Sequence, residues 1–223
     1  MKILALETTE RIGSLAIAKG SEILCELTLD AKLRTAQSLV PGISQALGEV
    51  GWKPDEIQLV ALTIGPGSFT GLRLGLTTAK TFAYAVGAEI LGIDTLEAIA
   101  AGVPEEVEQV AVAIDAQRGQ LAAGVLRRAE KGRFTAEDPM RLVDADAWLA
   151  SLPSGIALAG PILKRLKPRI PAGLNTLDPE FWYPKASTVA RLASADYAAG
   201  RRDDLWQLAP RYSRKSAAEE KLL

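Results

Sequence analysis

No histidine occurs anywhere in the 223 residues. That absence removes the commonest general base, the usual partner of a nucleophilic serine or cysteine, and the main zinc and iron ligand. Serine–histidine–aspartate hydrolases and HExxH-type metalloproteases are therefore excluded, and any chemistry would have to run on carboxylates, hydroxyls, lysine or bound magnesium. The single cysteine, Cys25, leaves no internal disulfide and no thiolate metal cluster; in a strand it reads as a small apolar residue. Charge of one sign is missing too. With 26 basic and 27 acidic residues the formal charge is −1, so electrostatics alone would not draw the chain to nucleic acid or an anionic membrane. No apolar run reaches the ~18 residues a membrane helix needs. The opening Met1-Lys2-Ile3-Leu4-Ala5-Leu6-Glu7-Thr8-Thr9 places an acid and hydroxyls where a signal peptide keeps its apolar stretch. A cytoplasmic protein with no membrane contact is the expectation.

What is present is ordinary globular material, 48% apolar and 24% charged. Residues 2–29 read as three short strands, with Ile23, Cys25, Leu27 and Leu29 lining one face of the third. A helix follows, carrying Val40, Ile43, Leu47 and Val50 at helical spacing and ending at Gly51. Pro41 inside that pattern predicts either a kink or a later start. A buried strand over 57–64, a glycine-rich turn, a helix over 71–86 and a short strand at 90–93 complete a first unit. Residues 102–106, Gly-Val-Pro-Glu-Glu, are the best boundary. Beyond it the pattern restarts, with strands over 107–114 and 120–127 and a third within 134–143. A helix over 144–152, a strand at 156–159, the turn Gly160-Pro161, a short helix, a strand at 174–177 and a helix over 187–199 follow. Both halves open with strands joined by tight turns and then alternate strand with helix. The expectation is two similar α/β lobes with a cleft between them, 1–103 and 104–223.

The turn Gly65-Pro66-Gly67-Ser68-Phe69-Thr70-Gly71-Leu72-Arg73 sits between a strand and a helix. Such turns can cradle phosphate on free N–H groups at a helix start. This one ends in Gly-Leu-Arg rather than the Gly-Lys-Ser/Thr of a Walker A loop. The alternative is a tight connection with Ser68 or Thr70 as the N-cap. In the helix, Gly71, Gly75, Ala79 and Ala83 form a ridge of very small residues spaced four apart. Glycine inside a helix costs about 1 kcal/mol relative to alanine, so the ridge asks for close approach of another backbone. Burial within the lobe is one account. A helix-on-helix contact with another subunit is the other, and the apolar first helix (Leu39, Val40, Ile43, Leu47, Val50) favours it.

These residues resemble the TsaB family, also called YeaZ. The resemblance rests on the segment 65–73, on Ala79-Lys80, on the opening strand and its Glu7-Thr8-Thr9 turn, and on Leu39-Val40-Pro41. Ile93-Asp94-Thr95-Leu96-Glu97-Ala98, Asp115-Ala116 and Pro210-Arg211-Tyr212-Ser213-Arg214 add to it. It is dense over 1–100 and thin afterwards. It implies the two-lobed fold of actin, Hsp70 and sugar kinases (ribonuclease H-like) with a reduced second lobe. It also implies a non-catalytic subunit that pairs with the catalytic TsaD, with TsaE as an ATP-hydrolysing third member and TsaC as a further candidate. The complex transfers a threonylcarbamoyl group onto the adenosine next to the tRNA anticodon, and the free subunit forms a homodimer. The interface positions the resemblance implies on the two N-terminal helices are Leu39, Ile43, Leu47, Leu72, Gly75, Leu76, Ala79 and Ala83. Glu7, Thr8, Thr9, Asp115 and Gly160 would be a vestigial nucleotide site. No cofactor is required, at most ATP or ADP with magnesium is held weakly at a complex interface, and tRNA is reached mainly through the complex. TsaD-like paralogues hold a metal with a histidine pair that this chain lacks.

The chain departs from the family pattern at Glu7, where relatives carry Asp, and at Gly119-Gln120-Leu121-Ala122, where they carry Gly-Glu-Val-Tyr. Thr35 stands where they often carry His. One extra methylene shifts a carboxylate by about 1 Å, enough to disturb magnesium geometry. The competing reading is a small kinase or ATPase of the same fold acting alone, with Glu7 and Asp115 on magnesium and Thr8 and Thr9 on phosphate. Direct tRNA contact through Lys164-Arg165, Lys167, Arg201-Arg202, Arg211 and Arg214-Lys215 is a further alternative to a plain solvated surface.

Overall fold

The structure is a computed structural model that describes residues 1–129 and 132–214. It begins with an antiparallel meander, β1 (Lys2–Glu7), β2 (Ser14–Lys19) and β3 (Glu22–Thr28). Helix α1 (Thr35–Glu49), β4 (Leu59–Gly65), α2 (Phe69–Val86) and β5 (Glu89–Asp94) follow. The sheet order is β3-β2-β1-β4-β5, with β1, β4 and β5 parallel. Alternation along β1 divides the core. Leu4 and Leu6 face α1 and α2 with Ile43, Leu47, Ala79 and Ala83, while Ile3 and Ala5 face the other way. Pro41 lies inside α1, which starts at Thr35 ahead of it rather than after it.

Asp94 ends β5 and caps α3 (Thr95–Ala100), accepting from Leu96 N at 2.8 Å. The second sheet is built from β6 (Gln109–Asp115), β7 (Gln120–Arg128), β8 (Phe134–Ala136), β9 (Arg141–Asp144), β10 (Ala157–Ala159) and β11 (Asn175–Thr176). Its order, β11-β10-β6-β7-β8, repeats the β5-β4-β1-β2-β3 pattern of the first: three antiparallel strands extended on one side by two parallel ones. The third strand expected within 134–143 is two short strands, both paired with β7. Helices α4 (Ala145–Ser151) and α5 (Leu163–Leu166) cover one face of this sheet. Leu96, Ile99 and Ala100 of α3 cover the other, packed on Val110, Val112 and Ile114.

The last helix, α6 (Ala186–Ala198), returns to the first sheet. Its Ala186, Val189, Ala190 and Ala193 meet Ile3, Ala5, Ala16, Ala18 and Ala61. The tail stays there: Gly92 N donates to Asp203 at 2.8 Å and Arg211 N to the Ile64 carbonyl at 2.6 Å. The expected second lobe of 104–223 is therefore corrected. Packing assigns the described residues 186–214 to the first lobe, because α6 supplies the helix that covers the second face of its sheet.

Candidate functional site

The carboxyl end of β1 places Glu7, Thr8 and Thr9 in one buried turn, each no more than 2% exposed. Thr9 donates to one Glu7 oxygen twice, from its backbone N (2.6 Å) and from its hydroxyl. Burial pushes the Glu7 carboxyl up to about 7, against the downward pull of the Thr9 hydrogen bonds. Glu10 is also pushed up to about 7, chiefly by burial and further by the charges of Glu7 and Asp115. Asp115 ends β6, the strand equivalent to β1 in the second lobe. It pairs with Arg165 at 2.8 Å and accepts from Gln117 N at 2.9 Å. Gly160, after β10, lies so close to the Ala113 carbonyl of β6 that no side chain fits there. The fold thus brings the ends of β1 and β6 towards each other, with Glu10 sensing both carboxylates. Among the described residues, no group of three or more His, Cys, Asp or Glu side chains is placed to hold a metal ion.

The glycine-rich turn is filled by protein. Gly65 adopts φ +121, and a Cβ there would run into the Arg211 carbonyl. Gly67 lies against the Thr9 side chain, and Gly71 and Gly75 lie against the Thr8 carbonyl and hydroxyl. Thr8 Oγ1 donates to the Gly71 carbonyl at 2.8 Å, Ser68 N donates to the Thr9 carbonyl at 2.9 Å, and Ser68 Oγ caps Gly71 N at 3.2 Å. Of the two readings of this turn, the tight connection capped by Ser68 is the one the geometry supports. The helix begins at Phe69, two residues earlier than expected. The C-terminal motif 210–214 is part of the same site: the Tyr212 ring lies 4.6 Å from that of Phe69, and Arg73 Nε donates to Tyr212 Oη at 3.0 Å. Two motifs about 140 residues apart form one contact, and no local sequence signal links them.

The structure divides the positions expected at a partner face. Leu39, Ile43, Leu47, Leu72, Gly75, Ala79 and Ala83 are buried inside the lobe, and Leu76 is partly buried against its core. The small-residue ridge admits the Thr8 turn, so it is core packing rather than the outer surface. The outward face is different. Val40, Ser44, Gly48, Trp52, Thr77, Thr78, Thr81 and Phe82 line an apolar groove of about 630 Å³ between α1 and α2, with Ile43 and Leu47 also in its lining. Val40 is 62% exposed. Helical spacing offers the missed signal, since Arg73, Thr77, Thr81 and Tyr84 fall on one stripe away from the glycines.

The basic residues considered for RNA are largely engaged. Arg165 pairs with Asp115, Arg201 with Asp196 and Asp203, and Arg211 lies 3.9 Å from Asp94. Lys215 lies outside the described residues.

A family model described as TsaD: tRNA N6-adenosine threonylcarbamoyltransferase matches residues 30–159, more than half of the chain. The tRNA threonylcarbamoyladenosine biosynthesis protein TsaB of Bacillus subtilis is 28% identical over 68% of this chain and 66% of the relative. The TsaB protein of Escherichia coli is 29% identical over 62% of this chain and 60% of the relative. The match thus spans less than two thirds of each of these relatives. The structure of YeaZ from Pseudomonas aeruginosa superposes with a TM-score of 0.82 at 25% identity, covering 95% of this chain and 99% of that one. The (R)-2-hydroxyglutaryl-CoA dehydratase component A of Acidaminococcus fermentans, at 12% identity and a TM-score of 0.50, shares the fold over 89% of this chain and 99% of its own.

Proposed function

We propose a function from the premise that this chain belongs to the TsaD family, on its TsaB/YeaZ side: it is a non-catalytic subunit of threonylcarbamoyladenosine biosynthesis in tRNA. It pairs with a TsaD-type catalytic subunit, joined by TsaE, and its contribution is to hold that subunit in a productive form. The observation that carries this reading is the open apolar groove between α1 and α2, with Val40 standing 62% exposed on its rim. Exposed apolar surface of this kind mark sites for partners. The absence of histidine supports a non-catalytic role, because the chain offers no imidazole to hold a metal or move a proton.

The alternative, a kinase or ATPase acting alone, needs an open phosphate cradle and an available carboxylate for magnesium. Neither fits these residues well. Thr8, Thr9 and the Arg211 backbone fill the glycine turn, and one Glu7 oxygen already accepts two hydrogen bonds from Thr9. We therefore propose that the isolated chain binds ATP weakly and turns it over negligibly, and that any nucleotide is held jointly with partners.

Val40→Asp tests the subunit reading. The variant is expected to fold with an unchanged melting temperature, to lose co-purification with TsaD, and to fail to restore modified adenosine in tRNA from cells depleted of the wild-type chain. Normal association and modification by this variant would refute the groove as the partner site. ATP turnover near ~1 per second by the isolated chain, abolished by Asp115→Ala, would favour the kinase instead.

A further inference from the structure

The groove is only half of a larger surface. The outward stripe of α2 continues past Thr77 and Thr81 to Tyr84, which is 68% exposed. Beside it stands Trp206, 67% exposed, with its ring 5.5 Å from that of Tyr84 and its carbonyl accepting from Lys80 Nζ at 3.0 Å. Six residues later Tyr212 packs on Phe69 at the first turn of the same helix. The C-terminal segment therefore runs alongside α2 from its last third back to its start, across the exposed Thr77 and Thr81 stripe from the groove.

Trp206 is held rather than loosely displayed. Asp204 Oδ1 accepts from Trp206 N and Gln207 N, both at 2.8 Å, and Asp203 is tied to Gly92 N and to Arg201. Leu205 and Leu208, on either side, pack against the core cluster that contains Ala79 and Ala83. A fixed backbone that presents a large aromatic ring to water is the arrangement of an interface anchor, since tryptophan and tyrosine lose little conformational freedom when covered.

Cations mark the outward side of α2 and the groove rim. Helix α2 carries Arg73 and Lys80 and no acid, and Lys53 stands on the groove rim. Among the described residues, Arg73 and Lys80 bond neutral oxygens, those of Tyr212 and of the Trp206 backbone. Of the nearby carboxylates, Asp203 pairs with Arg201, whereas Asp204 accepts from backbone N–H groups and keeps its charge at the edge of the surface. The only acid of α1, Glu49, bonds Cys25 and Gln45.

We infer that the C-terminal segment is the second wall of the partner-docking surface, with Trp206 as its anchor, and that the protein it receives presents carboxylates beside an apolar ridge. This rests on the subunit reading above and adds to it the residues that hold the partner and the charge the partner carries. A second copy of this chain fits less well, because a two-fold contact would bring the same cations to the shared surface.

The test uses purified full-length chain and the TsaD subunit encoded in the same genome, with affinity measured by calorimetry at low and high salt. Trp206→Ala is expected to weaken binding about 30-fold or more. Lys80→Glu is expected to weaken it about tenfold and to flatten its salt dependence. Both should melt like the wild type. Tyr84→Ala repeats the anchor test from the α2 side should Trp206→Ala lose stability. Wild-type chain that fails to bind TsaD overturns the subunit reading and this inference with it. Wild-type binding that all three variants retain overturns the inference alone. A wild-type homodimer that Trp206→Ala dissociates, with TsaD binding unaffected, assigns the surface to a second copy and also overturns it.

Discussion

The inward and outward faces of α2 differ in what an added atom meets. On the inward face, Gly71 and Gly75 touch the carbonyl and hydroxyl of Thr8, which are fixed by the end of β1 and cannot yield. On the outward face, Thr77, Thr81 and Tyr84 are exposed, and a side chain can change size without displacing anything. The comparison teaches that a stripe of small residues and a partner surface are separate properties even on one helix. Close backbone approach explains the glycines; the proposed docking face rests instead on exposed apolar area beside cations.

The comparison can be broken most directly at Gly75. Gly75→Leu should remove more than about 4 kcal/mol of stability or prevent folding, because the new side chain must displace Thr8. A thermal melt close to that of the wild type would return the ridge to the surface. Glu7, under the same turn, gives the next largest effect. Its folded-state value near 7 lies above the ordinary carboxylate value of about 4.3. The folded protein therefore holds a proton that the unfolded chain releases between about pH 4.5 and 7, and stability falls as pH rises through that window. Glu7→Gln keeps an acceptor for Thr9 without the charge. It should stabilise the protein by up to about 3 kcal/mol above pH 7 and have little effect near pH 4, as read from chemical unfolding across pH. A uniform effect at all pH values would contradict burial as the cause.

Smaller effects sharpen the contrast. Ser68→Ala removes the cap at Gly71 N and should cost about 1 kcal/mol in the same unfolding measurement. Thr81→Ala, on the outward face, should change stability by less than about 0.5 kcal/mol. A loss as large as that from Ser68→Ala would mean that the groove wall is part of the core.

Much of the fold was legible along the chain. The apolar runs at 3–6 and 57–64, the helical spacing of Leu39, Ile43 and Leu47, and the restart after Pro104 marked strands, helices and lobes. Each signal lies within a few residues. The likeness of the two lobes followed from the same alternation, whereas the strand order they share came from the pairing of the strands. What was not legible required distant residues to meet. Gly65 must be glycine because its φ is positive and the Arg211 carbonyl occupies the space a side chain would need, and 146 residues separate the two. The short β8 and β9 share β7 as partner, so one expected strand became two. The second lobe ended early because α6 covers the first sheet, a pairing of alanine faces that neither segment announces alone.

Residue types by themselves determined that this protein has no imidazole chemistry, no disulfide and no apolar run able to cross a bilayer, since these depend on which groups exist and not on where they lie. They also determined that α2 has one ridge of glycine and alanine, because four-residue spacing places such residues on one face of any helix. Only the tertiary structure decided that the ridge looks inward. Small residues allow close approach equally to a neighbouring turn or to another subunit, and the choice depended on Thr8 arriving first from the end of β1. The outer face, with Val40, Tyr84 and Trp206, was decided the same way. Exposure is a property of what fails to cover a side chain, and that is settled only when the whole chain has packed.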